Sequence, residues 1–396
     1  MNAPFRPLTP QDRRRRAELY RLLVAICEDL EPTKEQFERA RSAYEAVAAW
    51  IASSEDSLLT STQVYLHGSG GLGTTIRPIG RMEFDIDLIC LLLGVSRNTD
   101  PAVVKAAVGR RLREHGRYAQ MLQEKKRCWR LNYAGEFHLD LSPTIANILC
   151  ANGGELVPDK ALRSWHPTNP RGYRKLFERR AALTPRIVKS ITEAPNRADA
   201  EPFPATLTVA KVLNHIVQTL KRHRDVHFLH VREDVAPISI IITTLAMRAY
   251  EAVVLREAYE DELDVLIATV RAMPRFIERP VIEGRPAYAV WNETTLGENF
   301  ADRWNREPER AQAFFTWHAK ALADLEDLRD ASGLDQVRKR LEEGFAQAGV
   351  RVMNRHQDRL SDARRSGMLW LAPSTGLITT PAPASTPVRP NTFFGD

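Results

Sequence analysis

Three aspartates on two short apolar segments carry the most informative chemistry in the sequence. Asp85 and Asp87 stand two residues apart in EFDIDLI, and Asp140 stands in EFHLDLSPT. Residues two apart on a β-strand share a face, so Asp85 and Asp87 project together, away from the apolar side chains between them. One such pair usually marks the polar side of an edge strand. Two strands of this design offer three carboxylates, which can hold two divalent cations about 4 Å apart.

A glycine-rich stretch, LHGSGGLG, precedes the first two aspartates. Its glycines allow positive φ angles and leave amide groups open to phosphate oxygens, and the Ser69 hydroxyl adds a donor. The stretch is not a Walker A loop, because no Lys-Ser/Thr pair follows its last glycine. Alone it is equally well read as a tight turn, but its position twelve residues before Asp85 favours phosphate binding. The four glycines are Gly68, Gly70, Gly71 and Gly73.

A lysine and a serine in the C-terminal half are suited to the same anion. Apolar residues recur there at helical spacing and predict a buried helix face that ends next to Lys221. Pro237 is suited to begin the next helix, which places Ser239 in a first turn, where free N–H groups and the helix dipole favour an anion. The alternative is an exposed lysine and a helix-start serine without a ligand. The apolar residues are Val209, Val212, Leu213, Ile216, Val217 and Leu220.

The elements that must position these residues follow from periodicity. QVYLHGS, EFDIDLICLLL, KRCWRLNY and EFHLDLSPT read as strands, with Ala134-Gly135 a turn between the last two, and DPAVVKAAVGRRLREH reads as a helix. Thr9 and Thr33 begin capping boxes of two N-terminal helices. From residue 205 the pattern is almost wholly helical. The sequence therefore predicts a two-lobed α/β (α+β) protein, with a mixed-sheet core and a C-terminal helical lobe.

We divide the chain into residues 1–200, with the N-terminal helices and the sheet core, residues 201–372, with the helical lobe, and residues 373–396, a tail. The tail is rich in proline, serine and threonine, which predicts disorder. Arg13 to Arg16 spread around one helical turn. We therefore interpret them as a solvated helix start rather than a nucleic-acid site.

Composition restricts the class of protein. The 396 residues carry a net charge of +6 and 43% hydrophobic residues, which is typical of a globular protein with polyanionic partners. No run of about eighteen apolar residues suggests a membrane helix, and the N-terminus lacks the apolar centre of a signal peptide. Four scattered cysteines form no disulfide framework. We predict a cytoplasmic protein without a membrane partner.

The motifs together resemble the nucleotidyltransferase superfamily related to DNA polymerase β. GTTIRPI, VPDKALRSWHPTNPRGY and WNETTLGENFADRW resemble, more narrowly, the bacterial CD-NTases, relatives of cyclic GMP-AMP synthase in the antiphage signalling systems called CBASS. The resemblance extends from about residue 60 to 305. It implies a polymerase β-like core. It also implies an enzyme that makes a cyclic di- or trinucleotide second messenger from ribonucleoside triphosphates, ATP among them, without a template.

The resemblance also implies roles for particular residues. The catalytic and metal-binding residues would be Asp85, Asp87 and Asp140, with two Mg²⁺ ions, or Mn²⁺, as cofactors. Asp140 would also deprotonate the acceptor hydroxyl. The nucleotide-binding residues would be Gly68, Ser69, Lys221 and Ser239. Expected partners are an effector that senses the product and a conjugation or regulatory protein at the tail. His67 and Gly70 depart from the family pattern, in which glutamine and a bulkier residue are frequent.

Two other interpretations remain open. A nucleotidyltransferase of the same superfamily could modify a protein, an RNA end or a small molecule, and would then need that acceptor. A catalytically quiet RNA-binding scaffold could use the basic surface, although three carboxylates would weaken its binding to a polyanion. The sequence does not determine the bases, ring size or linkage of the product.

Overall fold

A computed structural model describes residues 8–80, 83–159, 164–188, 212–229, 231–282, 284–372, 376–379, 381 and 385–389. The N-terminal half contains α1 (Pro10–Leu30), α2 (Lys34–Ala52), β1 (Thr62–His67), α3 (Gly68–Leu72), β2 (Phe84–Leu92), α4 (Pro101–Glu114), α5 (Gly116–Met121), β3 (Leu122–Glu124), β4 (Trp129–Tyr133), β5 (Phe137–Ala146), β6 (Glu155–Asp159), β7 (Ser164–Thr168), α6 (Pro170–Ala181) and β8 (Arg186–Ile187). The C-terminal half contains α7 (Val212–Phe228), α8 (Ser239–Arg256), β9 (Ala258–Tyr259), α9 (Glu262–Ala272), β10 (Val281–Ile282), β11 (Arg285–Pro286), α10 (Pro308–Asp330), α11 (Leu334–Phe345), α12 (Gln347–Arg365), β12 (Trp370–Ala372), β13 (Gly376–Ile378) and β14 (Thr386–Pro387).

A mixed seven-stranded sheet organises the N-terminal half. Its strands run β1-β2-β5-β4-β3, with β6 paired to β5 and β7 paired to β6. The central strands β2 and β5 are parallel, and Asp87 lies beside Asp140 in their register. Because alternate side chains point to opposite faces, both carboxylates share the face that the apolar residues leave free. The predicted mixed α/β architecture is confirmed.

Buried side chains form two separate cores. The sheet core contains residues of α2, α4 and the central strands, such as Val47, Leu88, Val108 and Leu141. The helical core contains residues of α1, α6 and the later helices, such as Leu23, Phe177, Leu220, Leu266 and Phe314. Helices α1 and α6, which the sequence analysis grouped with the sheet, therefore pack against the helical lobe. The predicted boundary at residue 200 lies in residues 189–211, outside the described part of the chain.

The arginines at the start of α1 differ from the sequence interpretation. Arg13 pairs with Glu260 at 2.8 Å, and Arg16 pairs with Asp264 at 3.0 Å. Arg15 donates to the carbonyl of Ala331. Three of the four guanidinium groups thus connect α1 to the helical lobe, so the interpretation of a solvated helix start was wrong.

The tail is partly ordered, in contrast to the predicted disorder. Strand β12 pairs with β13 on one side and with β14 on the other. The prediction of disorder for residues 373–396 is therefore wrong for β13 and β14, whereas the terminal residues 390–396 lie outside the described part of the chain. Among the residues described, no helix has the length and apolar character needed to cross a membrane.

Candidate active site

One cleft receives residues from both cores and encloses about 880 Å³. The sheet contributes the predicted carboxylates, α3 contributes the glycine-rich segment, and α7 and α8 contribute the lysine and the serine. All seven residues expected to be catalytic or nucleotide-binding line this cleft: Gly68, Ser69, Asp85, Asp87, Asp140, Lys221 and Ser239. The structure thus brings together residues that the sequence places far apart, as a shared binding site requires.

A guanidinium group lies between two of the three carboxylates. Arg130 on β4 donates from Nε to Asp140 Oδ1 at 2.7 Å and from Nη2 to Asp140 Oδ2 at 2.8 Å. The same Nη2 lies 2.9 Å from Asp85 Oδ1. His138 Nδ1 is 3.3 Å from that Asp85 oxygen, and its Nε2 is 3.2 Å from Glu83. Two positively charged or polar groups therefore offset the repulsion between Asp85 and Asp140.

Sequence reasoning missed Arg130, although the sequence contained a signal for it. The predicted turn at Ala134-Gly135 joins β4 to β5, and Tyr133 pairs with Phe137 in the hairpin. Counting back along both strands places Arg130 opposite Asp140, which is the observed pair. Cross-strand neighbours on one face interact directly. The predicted hairpin thus indicated the contact only in part, because a two-residue turn would pair Arg130 with Leu139 and the observed loop has three residues.

The carboxylate of Asp87 lies directly against the backbone of Gly68. Gly68 has φ of 59°, and a Cβ atom at this position would approach Asp87 Oδ2 to 2.1 Å. The segment predicted as an open glycine loop forms the short helix α3, which ends at Gly73 with a left-handed φ of 63°. Only glycine therefore allows both the backbone conformation and the close approach at residue 68.

The environment of the cleft shifts the titration of its groups. Burial, with smaller effects of Asp140 and Asp85, raises the pKa of Asp87 to about 7. Burial lowers the pKa of His67 to about 4, so this ring is neutral at physiological pH. His67 lies beside Asp87 in the pairing of β1 with β2. A neutral imidazole has one donor and one acceptor, as the side-chain amide frequent at this position in the resembled family also does.

Helix α7 holds the segment that follows α3. Asn214 donates to the carbonyls of Leu72 and Gly73 at 2.9 and 3.0 Å. Gln218 donates to the carbonyl of Thr75 at 3.3 Å, and Arg222 donates to the carbonyl of Arg77. Spacings of four residues along a helix place such side chains on one face. These positioning residues were missed because no local pattern states which loop a distant helix contacts.

Lys221 lies on the same side of α7 and is buried. Its Nζ donates to the carbonyl of Thr74 at 2.7 Å, and only 5% of the residue is exposed. Burial, assisted by the nearby Arg224, lowers the pKa of Lys221 to about 8. The ammonium group therefore has one backbone partner and keeps two donors for an anion in the cleft.

Ser239 is the first residue of α8, as predicted from the position of Pro237. Its hydroxyl accepts a hydrogen bond from Arg224 Nη1 at 3.0 Å, and the same nitrogen lies 3.0 Å from the carbonyl of Pro237. Arg224 also pairs with Asp225. The sequence analysis missed Arg224, which adds a permanent positive charge beside a helix N-terminus and so strengthens the case for an anion there.

The three aspartates of the cleft match a divalent metal ion in ligand type but not in their present arrangement. Asp85, Asp87 and Asp140 offer hard oxygen ligands on one face, and two of them already share a cation, the guanidinium of Arg130. In the described ranges, no group of three or more histidine, cysteine or acidic side chains is arranged to hold an ion as it stands. The donor set fits Mg²⁺ by its chemistry, but the carboxylates are arranged around Arg130.

Comparison with known proteins shows which proteins this chain is similar to. Residues 20–180 match the family described as the Second Messenger Oligonucleotide or Dinucleotide Synthetase domain. The matched segment contains the whole seven-stranded sheet and the three predicted carboxylates. A c-di-GMP synthase of Roseivirga ehrenbergii is 29% identical over 384 residues, which cover 96% of this chain and 98% of the relative.

Solved structures support the same fold. The Bradyrhizobium diazoefficiens CD-NTase CdnG in complex with GTP has a TM-score of 0.65 at 20% identity, covering 86% of this chain and 97% of its own. The CdnC:HORMA complex of E. coli MS115-1 has a TM-score of 0.60 at 13% identity, covering 83% and 97%. The predicted fold class is confirmed. The predicted activity, synthesis of a cyclic-dinucleotide second messenger by a nucleotidyltransferase, is confirmed as a reaction class.

Proposed function

We propose that the protein joins two molecules of GTP into cyclic di-GMP without a template and releases pyrophosphate at each step. The choice of guanine rests on the c-di-GMP synthase that matches nearly the whole chain. The observation that carries the reaction type is the convergence of three carboxylates with Gly68, Ser69, Lys221 and Ser239 in one cleft. Its volume of about 880 Å³ lies in the upper part of the range for ligand pockets, which suits two nucleotides.

The residues divide into those that bind the donor and those that prepare the acceptor. Lys221, Ser239 and the amides of Gly68 and Ser69 bind the donor triphosphate through charge and hydrogen bonds. Asp140 receives the proton of the attacking ribose hydroxyl. Positioning and neutralisation of charge supply nearly all the acceleration in phosphoryl transfer of this kind.

Asp85, Asp87 and Asp140 would hold the two divalent cations, Mg²⁺ or Mn²⁺. When bound, such ions neutralise triphosphate charge and acidify the attacking hydroxyl. The same assignment explains why three acidic side chains are gathered where an anionic substrate must bind. Without cations, their charges would oppose the binding of a triphosphate.

The proposed biological setting follows from the product. A cyclic dinucleotide acts only through a protein that binds it, so we expect a downstream effector. Solved relatives are in complex with GTP, with ATP or with a HORMA protein, and a regulatory partner for this chain is part of the proposal. A cytoplasmic location and a role in antiphage defence complete it.

The test is synthesis by the purified protein with Mg²⁺ and GTP alone, ATP alone, or both, with products identified by mass. Cyclic di-GMP from GTP alone is the expected result, and Asp85→Asn is the inactive control. A product that requires both nucleotides would overturn the choice of GTP and restore the ATP predicted from the sequence. Transfer that occurs only when a protein or RNA acceptor is added would overturn cyclic-dinucleotide synthesis.

A further inference from the structure

Arg130 contacts the two aspartates that a bridging metal ion would also need. Its Nη2 is within 2.9 Å of Asp85 Oδ1 and within 2.8 Å of Asp140 Oδ2. An ion held by both carboxylates would need the oxygens that Arg130 contacts, and Mg²⁺ takes oxygen ligands at about 2.0–2.1 Å. The ion and the nitrogen cannot occupy this space together.

We propose that Arg130 is an exchangeable internal cation, which a divalent ion bridging Asp85 and Asp140 must displace. The inference rests on the proposed metal-binding role of these aspartates. It assigns to Arg130 a positioning role: the guanidinium keeps the carboxylates on neighbouring strands close together and sets the ion concentration at which they exchange it.

The chemistry of arginine makes the competition strong. Arg130 holds both oxygens of Asp140 in a bidentate pair, which is among the stronger hydrogen-bonding arrangements in proteins. A guanidinium remains charged at every pH the protein tolerates, so it leaves by moving and not by losing a proton. The side chain is only 19% exposed, so water screens the pair incompletely.

The surroundings of Arg130 also favour exchange over a fixed structural role. Asp85 is 56% exposed, so one of the three contacts is at the open side of the cleft and is weak. His138 lies 3.3 Å from Arg130 Nη1 and from Asp85 Oδ1, and can retain a contact with Asp85 when the guanidinium moves. A triphosphate that enters with its ion also contacts the cationic groups of the cleft, which adds to the binding free energy of the ion. Exchange is therefore coupled to nucleotide binding.

An alternative role would give the opposite sign. An arginine that orients metal ligands from outside the coordination sphere strengthens metal binding, and losing such a group typically weakens it by roughly 10–100-fold. An arginine that competes with the ion weakens metal binding, so its removal strengthens it. The direction of the change therefore distinguishes the two roles without an activity assay.

The experiment measures Mn²⁺ binding to the nucleotide-free full chain by electron paramagnetic resonance for wild type, Arg130→Met and Arg127→Met. Arg127 lies on the same hairpin and is near Asp159, not the aspartates of the cleft, so its substitution removes an equal charge without opening the space. We expect Arg130→Met to lower the Kd by about tenfold or more, the equivalent of one charge-assisted hydrogen bond. Arg127→Met should change the Kd by less than about twofold, because the charge is half exposed.

Thermal unfolding in EDTA supplies a second readout. We expect Arg130→Met to unfold at a lower temperature than wild type in EDTA and to gain more from added Mn²⁺. Arg130→Lys, which keeps the charge but cannot hold Asp140 in a bidentate pair, should give an intermediate Kd and serves if Arg130→Met does not fold.

Each outcome decides the question. One outcome is that the Kd for Mn²⁺ rises or stays unchanged in Arg130→Met, while Asp85→Asn alone abolishes Mn²⁺ binding. That outcome overturns the competition and leaves the proposed metal site intact. Mn²⁺ binding that is insensitive to Asp85→Asn shows that the proposed metal site itself is wrong, and the competition with it.

Discussion

Gly68→Ala tests whether the glycine-rich segment is shaped by Asp87. The new Cβ would lie 2.1 Å from Asp87 Oδ2 and 2.8 Å from its Cγ, so the carboxylate oxygen must move by at least about 1.3 Å to reach ordinary contact. Alanine at a left-handed φ of 59° adds about 1 kcal/mol of backbone strain. We expect the free energy of unfolding to fall by about 1–2 kcal/mol. Synthesis should fall by about 100-fold, because a misplacement of about 1 Å at a reacting centre has effects of that size.

The assay compares initial rates of cyclic-nucleotide synthesis with thermal unfolding for Gly68→Ala and for a matched variant, Gly80→Ala. Gly80 also has a positive φ, of 67°, but a Cβ there would meet no atom of the described residues within 4 Å. Gly80→Ala should therefore lose similar stability and keep synthesis within about threefold, because it displaces no carboxylate, although the neighbouring Ile79 lines the cleft. Equal loss of synthesis in the two variants would show that backbone strain, not the displacement of Asp87, controls activity.

Three further predictions concern the charges of the cleft and the tail. Substitution of any one of the three proposed catalytic carboxylates by asparagine should reduce synthesis by a factor on the order of 1,000 or more, because a charged ligand is lost at nearly constant volume. Circular dichroism should show an intact fold. Near-normal synthesis by a variant would refute the assignment of that carboxylate. The variants are Asp85→Asn, Asp87→Asn and Asp140→Asn. Because the pKa of Lys221 is lowered to about 8, its positive charge is lost as pH rises through that value, and kcat/KM should fall above pH 8. Lys221→Met should start lower and lack this alkaline decrease, and a variant that keeps the decrease would assign it to another group. Deletion of residues 373–396 should leave the rate of synthesis within about twofold, which equals about 0.4 kcal/mol of activation free energy. The reason is that every described residue lining the cleft precedes residue 301. A larger loss in the purified protein would show that the tail supports the cleft.

Local periodicity was sufficient to place the carboxylates. Alternation along EFDIDLI and EFHLDLSPT fixed which side chains share a face, and the parallel register of β2 and β5 then brought Asp87 beside Asp140. Capping boxes at Thr9 and Thr33 gave the starts of α1 and α2 for the same reason: the signal and the structure are within four residues of each other.

Contacts between distant segments were not predictable in this way. The hydrogen bonds from Asn214 and Gln218 to the segment after α3 depend on how the helical lobe docks on the sheet, and a stripe of apolar residues states only that α7 is buried. The arginines of α1 gave the same difficulty. A run of arginines at a helix start looks the same in sequence whether the side chains face solvent or form ion pairs with the other lobe.

The membership of α1 in the helical core has a consequence for biosynthesis. Its apolar residues Leu19, Leu23 and Ile26 leave the ribosome first, but the helices they pack against follow some two hundred residues later. Asp29 at the end of α1 pairs with Arg351 and Arg355 of α12 at 2.6 and 2.7 Å. Until α7 to α9 have been made, the growing chain must carry an uncovered apolar helix, which is a target for chaperones and proteases. A chain that ends before α7 therefore keeps this helix uncovered and also lacks Lys221 and Ser239 of the cleft.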